Sequence, residues 1–385
     1  MRYYLIAGEA SGDLHASNLM RELKSQDPEA VFRCWGGDLM EQQGATLVKH
    51  YRDLAFMGFA EVVSHLPTIL GNFRFCEKDL LAYQPDVLIL VDYPGFNLRM
   101  AKFAKQNGIR VFYYISPQLW AWHSSRVNDI KKWVDRMFVI LPFEQEFYAR
   151  YDYRVDFQGH PLLDVIHDGM QVPARKEFLD MNNLPDLPLI ALLPGSRKME
   201  IEKMLKIMIS VRDSFPGFQF VVAGAPSIRD DFYSGILEGT GIKVVTGQTY
   251  HLLSHSVAAL VTSGTATLET GLIGVPQVVC YRGNMFSYLI ARRLVNVKYI
   301  SLVNLICDRL VVPELIQQEL TRENLAATLG SIIKPGPERE AILDGYRDLK
   351  KQLGGRGASA RVAGLMMQYL CRGLVIPPFQ GLKSH

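Results

Sequence analysis

Short apolar runs alternate with amphipathic stretches along the chain, and this alternation predicts strands separated by helices. The runs are rich in Val, Ile and Leu, which is typical of strands buried on both faces of a parallel sheet. A first series of runs covers residues 3–7, 31–35, 87–91, 111–115, 137–141 and 155–157. A second series covers residues 189–193, 218–223, 243–245, 259–262 and 277–281. Two such series predict an α/β protein with two doubly wound, Rossmann-like domains.

The boundary between the two domains is predicted near residue 165. The first series ends close to Gly-His-Pro at 159–161, a charged stretch with a proline follows, and a new first strand begins at Leu189. This divides the chain into residues 1–165 and 166–356. Apolar residues at 362, 365, 366, 369 and 370 then predict an amphipathic helix over 357–375. We expect that helix to pack back on the N-terminal domain or on a partner chain.

Composition narrows the class of protein. The 385 residues are 48% hydrophobic and 21% charged with a net charge of +3, which argues against a general nucleic-acid binder. Five scattered cysteines without CxxC spacing predict neither a disulfide framework nor a zinc site, and reduced thiols suit a cytoplasmic protein. The first residues lack the pattern of a signal peptide, and no run of about 18 apolar residues predicts a membrane span.

The first predicted strand ends in a glycine-containing loop at the start of a helix. Two interpretations remain open: a capped turn, or a loop that approaches a ligand closely at the carboxyl end of the strand. The candidate residues of this loop are Glu9, Ser11, Gly12 and Asp13.

Asp92 follows the run 87–91 directly, so its carboxylate is expected at the edge of the sheet where ligands bind. There it could accept a proton from an attacking hydroxyl as a general base. The alternative is an aspartate that caps the helix starting near Asn97. His160, a lone histidine near the domain boundary, is interpreted as structural.

Two loops of the second domain carry the pattern of a phosphate site. Gly195, Ser196 and Arg197 close its first strand and lead into a helix, where backbone N–H groups and a fixed positive charge favour a phosphate. The alternative is a turn with a surface arginine.

The second of these loops follows the run 259–262. Ser263, Gly264 and Thr265 resemble the exposed amides of a helix start, and Glu269 lies within the helix, where it could reach a ribose hydroxyl. The alternative is a helix capped by Ser263 with a solvated Glu269.

A further predicted helix, starting at Pro67, is unusually apolar. Its packing onto the sheet is one interpretation, and a surface for acyl chains or a membrane is the other. Arg74 and Lys78 beside it would suit anionic headgroups. The candidate lipid contacts are Leu66, Ile69, Leu70 and Phe73, which share one face with Leu80 and Leu81.

Ordered segments over nearly the whole chain resemble the lipid-A-disaccharide synthase family, inverting glycosyltransferases of the GT-B type. In the N-terminal domain these are Gly-Glu-Ala-Ser-Gly-Asp at 8–13, Met-Gly at 57–58, Asp92 with Pro94 and Phe-Asn at 96–97, Ser-Pro at 116–117, Trp-Ala-Trp at 120–122, Leu-Pro-Phe-Glu at 141–144 and Gly-His at 159–160. In the C-terminal domain they are Leu-Pro-Gly-Ser-Arg at 193–197, Ser-Gly-Thr-Ala at 263–266, Leu-Glu at 268–269, and Pro276 with Tyr-Arg at 281–282.

The resemblance implies two Rossmann-like domains that face each other across a cleft, and a specific reaction. UDP-2,3-diacylglucosamine would donate its sugar to the 6-hydroxyl of 2,3-diacylglucosamine 1-phosphate (lipid X). The products would be a β-1,6-linked disaccharide 1-phosphate, a lipid A precursor, and UDP.

Roles for individual residues also follow from the resemblance. Asp92 becomes the candidate general base, and Asn304 joins the second-domain loops, Arg197 and Glu269 on the donor side. The loop 8–13 and Met57 fall on the acceptor side. The resemblance implies neither a metal nor another cofactor. It also implies a homodimer with exchanged C-terminal segments, peripheral at the cytoplasmic face of the inner membrane.

Two other functions fit the same architecture. A UDP-sugar 2-epimerase would need an acid/base pair around one sugar and no acceptor. A nucleotide-sugar-binding protein without catalysis would leave Asp92 incidental.

Overall fold

The computed structural model describes residues 1–54, 66–120, 126–226, 228–283 and 298–371. Its contacts divide the chain into two compact units. The first unit comprises Met1–Asp164 together with the residues from Gly354 on, and the second comprises Val165–Leu353.

A seven-stranded parallel sheet forms the centre of the first unit, in the order β3-β2-β1-β4-β5-β6-β7. Because the strand order reverses between β1 and β4, the loops that follow these two strands lie at the switch point where open α/β sheets bind ligands. The strands are β1 (Arg2–Ala7), β2 (Val31–Gly36), β3 (Thr46–His50), β4 (Val87–Val91), β5 (Arg110–Tyr114), β6 (Arg136–Val139) and β7 (Asp156–Phe157).

Helices cover both faces of this sheet. Cys76 and Leu80 pack on the same face as Trp35, whereas Leu19 and Met20 of the first helix pack on the other. The helices of the first unit are α1 (Ala10–Gln26), α2 (Asp38–Gln42), α3 (Leu66–Tyr83), α4 (Pro94–Gln106), α5 (Val127–Trp133), α6 (Phe143–Ala149) and α7 (Leu162–Val165).

The second unit repeats this plan with a six-stranded sheet in the order β10-β9-β8-β11-β12-β13. Its switch point lies between β8 and β11. The strands are β8 (Leu189–Leu193), β9 (Gln219–Gly224), β10 (Lys243–Thr246), β11 (Ser256–Thr262), β12 (Gln277–Tyr281) and β13 (Glu314–Ile316). The helices are α8 (Arg175–Met181), α9 (Lys198–Ile209), α10 (Asp230–Leu237), α11 (Thr249–Ser254), α12 (Thr265–Ile273), α13 (Leu302–Cys307), α14 (Arg322–Ile333) and α15 (Pro337–Gln352).

The last described helix, α16 (Ala358–Cys371), packs on the first unit of its own chain. Its apolar side contributes Val362, Met366 and Leu370 to the core that α1 covers. The Tyr3 hydroxyl donates to Met367 Sδ at 3.1 Å, and Arg110 donates to the Leu370 carbonyl at 3.0 Å.

The prediction of two doubly wound parallel α/β domains is confirmed, but it missed β3 and β13. Each of these is an edge strand with one neighbour, β2 or β12 respectively. An edge strand is not buried on both faces, so its sequence lacks the continuous apolar run that reveals the central strands. Within the described residues, no helix is long and apolar enough to cross a bilayer.

Candidate functional site

At the switch point of the first sheet, the loops after β1 and β4 lie side by side. Residues of the two strands pair along their length, ending with Ala7 opposite Val91. Gly8, the residue after Ala7, packs directly against the Tyr93 ring. A Cβ atom at position 8 would lie 2.3 Å from that ring. Any larger residue at position 8 would therefore displace the loop that carries Asp92.

Asp92 and Tyr93 both adopt left-handed backbone conformations, with φ of 45° and 51°. Such residues cost about 1–3 kcal/mol each and persist only where the surroundings hold them. Asn97 Nδ2 and the Tyr113 hydroxyl both donate to the Asp92 carbonyl, each at 2.6 Å. Helix α4 begins at Pro94 without a side-chain cap, so the interpretation of Asp92 as a helix cap does not apply.

The Asp92 carboxyl has the electrostatic character of a base. Burial, reinforced by the nearby Glu9 carboxylate, raises its pKa from 3.8 to about 6, although the Tyr93 N–H opposes the shift. A carboxylate with this pKa is mostly ionised at neutral pH and yet more basic than an ordinary aspartate.

The glycine-containing loop after β1 has both buried residues with a structural role and exposed residues. Asp13 is buried, and its carboxylate accepts the N–H groups of Gly37, Leu39 and Met40 at 2.8–3.2 Å. Its hydrogen bonds hold the start of α2, and its assignment to the acceptor site stays a prediction.

Glu9 and Ser11 of this loop are exposed. Gly12 is buried, and a Cβ atom there would lie 3.2 Å from that of Ala7, so glycine permits the close packing of α1 on β1. Met57 lies outside the described residues.

In the second unit, the loop after β8 contains both an anion-attracting group and a competing carboxylate. Gly195 has φ of 114°, and Ser196 donates its N–H to Glu200 Oε2 at 3.2 Å. The Ser196 N–H, which was predicted to bind phosphate, is therefore already hydrogen-bonded to Glu200. Arg197 is exposed, and its guanidinium has no ion-pair or hydrogen-bond partner among the residues the structure describes.

The loop after β11 leaves the start of α12 open. Gly264 has φ of 154°. Among the described residues, no atom lies within 4 Å of the position a Cβ atom would take, and no side chain caps the helix. Ser263 donates its hydroxyl to the Ile300 carbonyl at 2.8 Å, so the Ser-capped interpretation is wrong. The Thr267 N–H donates to the Gly264 carbonyl, but no described residue accepts the N–H groups of Thr265 and Ala266, so these two can bind an anion.

Glu269 is partly buried rather than fully solvated. The Tyr250 hydroxyl donates to Glu269 Oε1 at 2.9 Å, and burial raises the pKa of Glu269 although this hydrogen bond opposes the shift. Sequence reasoning missed Tyr250, which lies on the neighbouring helix α11. The hydrogen bond fixes the carboxylate one turn beyond the open helix start.

The Asn304 side chain is buried and hydrogen-bonded to neighbouring segments. Its side chain donates to the Val312 carbonyl and to Glu314, and it accepts the N–H groups of Val311 and Val312, all within 2.9 Å. Every hydrogen-bonding position of the amide is thus used within the chain, and its assignment as a donor-binding residue stays a prediction.

Glu314 is a supporting residue that the sequence did not indicate. It accepts the N–H groups of Ile300 and Ser301 at 2.9–3.3 Å, while Ser263 bonds the Ile300 carbonyl. These bonds fix the segment beside the start of α12. No sequence signal marks Glu314 because β13 itself was missed.

The predicted apolar face of α3 is split between core and surface. Phe73 is only 7% exposed and stacks on Phe96 at 4.6 Å, and Ile69 is partly buried against the same core. Phe73 is therefore not available as a lipid contact. Leu70 is 38% and Leu81 45% exposed, and the Leu66 side chain lies outside the described set.

His160 has the features of a core histidine. It is buried, its Nδ1 accepts the Leu162 N–H at 3.1 Å, and its ring lies 6.5 Å from that of His15. Burial lowers the pKa of His160 to about 3 and that of His15 to about 4, so both are neutral at physiological pH.

Comparison with known sequences points to one family. Residues 3–361 match the family described as lipid-A-disaccharide synthetase. A lipid-A-disaccharide synthase of Myxococcus xanthus is 39% identical over 380 residues, 97% of this chain and 99% of that protein. One from Syntrophus aciditrophicus is 40% identical over 367 residues, 93% of this chain and 95% of the relative.

Solved structures show the fold. UDP-GlcNAc 2-epimerase from Neisseria meningitidis, bound to UDP-GlcNAc, aligns with a TM-score of 0.67 at 13% identity, covering 96% of this chain and all of the epimerase. A calicheamicin glycosyltransferase aligns with a TM-score of 0.59 at 18% identity, covering 98% of this chain and all of that enzyme. The prediction of a GT-B type fold is confirmed.

Proposed function

This chain belongs to the lipid-A-disaccharide synthase family, and from that premise we propose that its Asp92 is the general base of the transfer. In this proposal UDP-2,3-diacylglucosamine is the donor and 2,3-diacylglucosamine 1-phosphate is the acceptor. Asp92 takes the proton of the acceptor's 6-hydroxyl while that oxygen attacks the anomeric carbon. UDP departs from the opposite face, so the new β-1,6 bond forms with inversion.

The observation that carries the proposal is the setting of Asp92. It follows a central strand at the switch point of its sheet, and its pKa is raised to about 6. Its strained backbone is held by Asn97 and Tyr113, as expected where one side chain must be aimed at a reacting group.

We assign to the second unit the groups that bind UDP and stabilise it as it leaves. The open amides at Gly264 and Thr265 bind the diphosphate, and the unpaired Arg197 neutralises its charge. Well-placed donors of this kind contribute about 2.7–4 kcal/mol each to a transition state. Ser196 is left out because Glu200 holds its amide. Glu269 accepts a ribose hydroxyl with the oxygen that Tyr250 leaves free.

We also place the protein at the cytoplasmic face of the inner membrane. The support is an exposed strip on α3 that combines Leu70 and Leu81 with Arg74 and Lys78. Apolar side chains flanked by cations suit a surface with anionic headgroups.

A homodimer with exchanged C-terminal segments completes the proposal. Its support is the position of α16, which follows the glycine-rich connection Gly354, Gly355 and Gly357. A helix attached in this way can reach the equivalent surface of a second copy.

The direct test is release of UDP from UDP-diacylglucosamine by the purified protein, with and without acylated glucosamine 1-phosphate. Transfer predicts release only when the acceptor is present. An epimerase would isomerise the donor without it, and a binding protein would retain the donor in both samples.

Asp92→Asn tests the assignment of the base. The asparagine keeps the shape and cannot accept the proton, so turnover should fall by about 10²–10⁴-fold with donor binding unchanged. Near-normal turnover in the folded variant would remove Asp92 from the mechanism.

A further inference from the structure

A cavity of about 470 Å³ lies between β3 and α3 of the first unit, apart from the Asp92 loop. It is lined by residues 47–50 together with Asp53, Asn72 and Phe75. Its volume is within the range of small-molecule sites. Both charged and apolar side chains line it, so it suits a ligand with a charged and an apolar part.

Lys49 brings a positive charge that no carboxylate neutralises. Its ammonium donates to Asn72 Oδ1 at 2.7 Å and lies 5.8 Å from the centre of the Trp35 ring. Both partners are neutral, and in the described part of the chain Lys49 forms no ion pair. An ammonium held in this way retains its full attraction for an anion.

His50 adds a hydrogen-bond donor. Its Nδ1 accepts the Arg52 N–H at 3.1 Å, so in the neutral ring the proton is on Nε2. That Nε2 is buried, has no hydrogen-bond partner in the described part of the chain, and lies 3.5 Å from Asp38 Oδ1. Asp38 is already engaged by Arg52 at 3.0 Å. Arg52 uses Asp38 Oδ2, whereas Oδ1 of the same carboxylate faces His50 Nε2, so the anion of a ligand is left to Lys49.

The apolar part of the cavity lies beside rings that lead to Asp92. The exposed ring of Phe75 is 6.0 Å from Trp35, Trp35 is 5.2 Å from Phe96, and Phe96 is 5.8 Å from Tyr93. Three successive ring contacts therefore link Phe75 in the wall of the cavity to Tyr93, the residue next to Asp92. Trp35 and Phe96 are buried, so these rings connect the wall of the cavity to the Asp92 loop through the core.

We propose that this cavity binds the phosphate of the sugar acceptor through Lys49, with the adjoining acyl chain against Val48 and Phe75. The inference rests on the proposed function, because the acceptor of that reaction combines a phosphate, a sugar and acyl chains. Of the residues that line the cavity, Asp53 alone is negatively charged. It is exposed and accepts a sugar hydroxyl.

The test compares two acceptors in detergent solution, acylated glucosamine 1-phosphate and the same molecule without its phosphate. Lys49→Met should raise KM for the phosphorylated acceptor by about 10-fold or more, the loss expected for a hydrogen bond to a charged group. KM for the donor and for the phosphate-free acceptor should not change. Lys49→Arg should restore the preference for phosphate.

Lys102→Met is the matched control, since Lys102 also lies 5.8 Å from the centre of a tryptophan ring, that of Trp133, and is exposed outside the cavity. Equal acceptor KM values in the Lys49 and Lys102 variants, with equal melting temperatures, would overturn the inference while leaving the proposed function intact. Absence of acceptor-dependent UDP release in the wild type would instead overturn the function. In that case calorimetric binding of the acceptor still decides the role of Lys49.

A membrane headgroup is the other source of a phosphate. Binding to vesicles of phosphatidylglycerol in phosphatidylcholine, measured without acceptor, separates the two sources. Loss of vesicle binding by Lys49→Met with unchanged acceptor KM would contradict the proposal.

Discussion

At the scale of single residues, the activity proposed for Asp92 depends on neighbouring groups as well as on its own carboxylate. The Asp92 carbonyl receives two short hydrogen bonds, from Asn97 and from Tyr113. The carboxylate of Glu9 then helps to raise the pKa of the side chain. Position and basicity are therefore set by different neighbours, so substitutions can separate them.

Tyr113→Phe should affect position alone. The variant loses one of the two donors to the Asp92 carbonyl, at a cost of about 0.5–1.5 kcal/mol. We expect kcat to fall by about 3- to 10-fold with unchanged KM and an unchanged pH optimum.

Tyr114→Phe is the control, because the next residue of β5 points to the opposite face of the sheet and its hydroxyl does not contact Asp92. If both variants have the same kcat, the Tyr113 hydroxyl does not position the base.

At the scale of elements, the apolar residues of helix α3 are divided between the protein core and the exposed surface. Phe73 and Leu80 are buried in the core, while Leu70 and Leu81 on the adjacent side are exposed. Periodicity places all four on one side of the helix but cannot divide that side between core and solvent. The neighbours that decide this, Phe96 among them, come from distant parts of the chain.

Replacing both exposed leucines with serine, Leu70→Ser with Leu81→Ser, should weaken binding to anionic vesicles severalfold. Stability should change by less than about 1 kcal/mol, because exposed sites tolerate such changes. Vesicle sedimentation and thermal unfolding measure the two effects.

Phe73→Ala is the contrasting variant, and it should cost about 3–5 kcal/mol of stability because it empties a core position. If vesicle binding is unaffected by the double serine variant, this strip of α3 does not contact the membrane.

The central strands and the ligand-facing loops were predictable from sequence for one physical reason. A parallel strand buried on both faces has a continuous apolar run, and the loop after it carries the polar residues, as at Asp92 and Gly264. Asp13 and Asn304 show where this reasoning ends. Both polar side chains lie in motifs that resemble a ligand site. In the structure, however, they accept hydrogen bonds from backbone N–H groups of other segments. Sequence alone does not give those long-range hydrogen bonds.

At the scale of the whole molecule, the chain returns to its first unit after completing the second. Asp164, the last residue of the first unit before the crossing, accepts the N–H groups of Gly357, Ala358 and Ser359 at 2.6–3.2 Å. Asp164 thereby caps α16, although it lies 193–195 residues before the three residues whose N–H groups it accepts. The outgoing and returning connections are joined by one carboxylate.

Asp164→Ala should lower the free energy of unfolding by about 1–2 kcal/mol, as expected for loss of a helix cap. The exposed Asp180 on α8 provides the control substitution, Asp180→Ala. Denaturant unfolding at two protein concentrations measures both the cap and the proposed exchange, because exchange between copies makes the midpoint rise with concentration. Identical midpoints for the two variants would contradict a stabilising role for Asp164.

The central claim is that Asp92 must be ionised to accept the proton of the attacking hydroxyl. The most direct test is the pH dependence of kcat/KM for the acceptor, measured between pH 5 and pH 8. Protonation abolishes the base, so the account predicts a fall in rate on the acid side with an apparent pKa of about 6. This acid limb should disappear in the residual activity of Asp92→Asn. A flat profile in the wild type, or the same acid limb in the variant, would contradict the account.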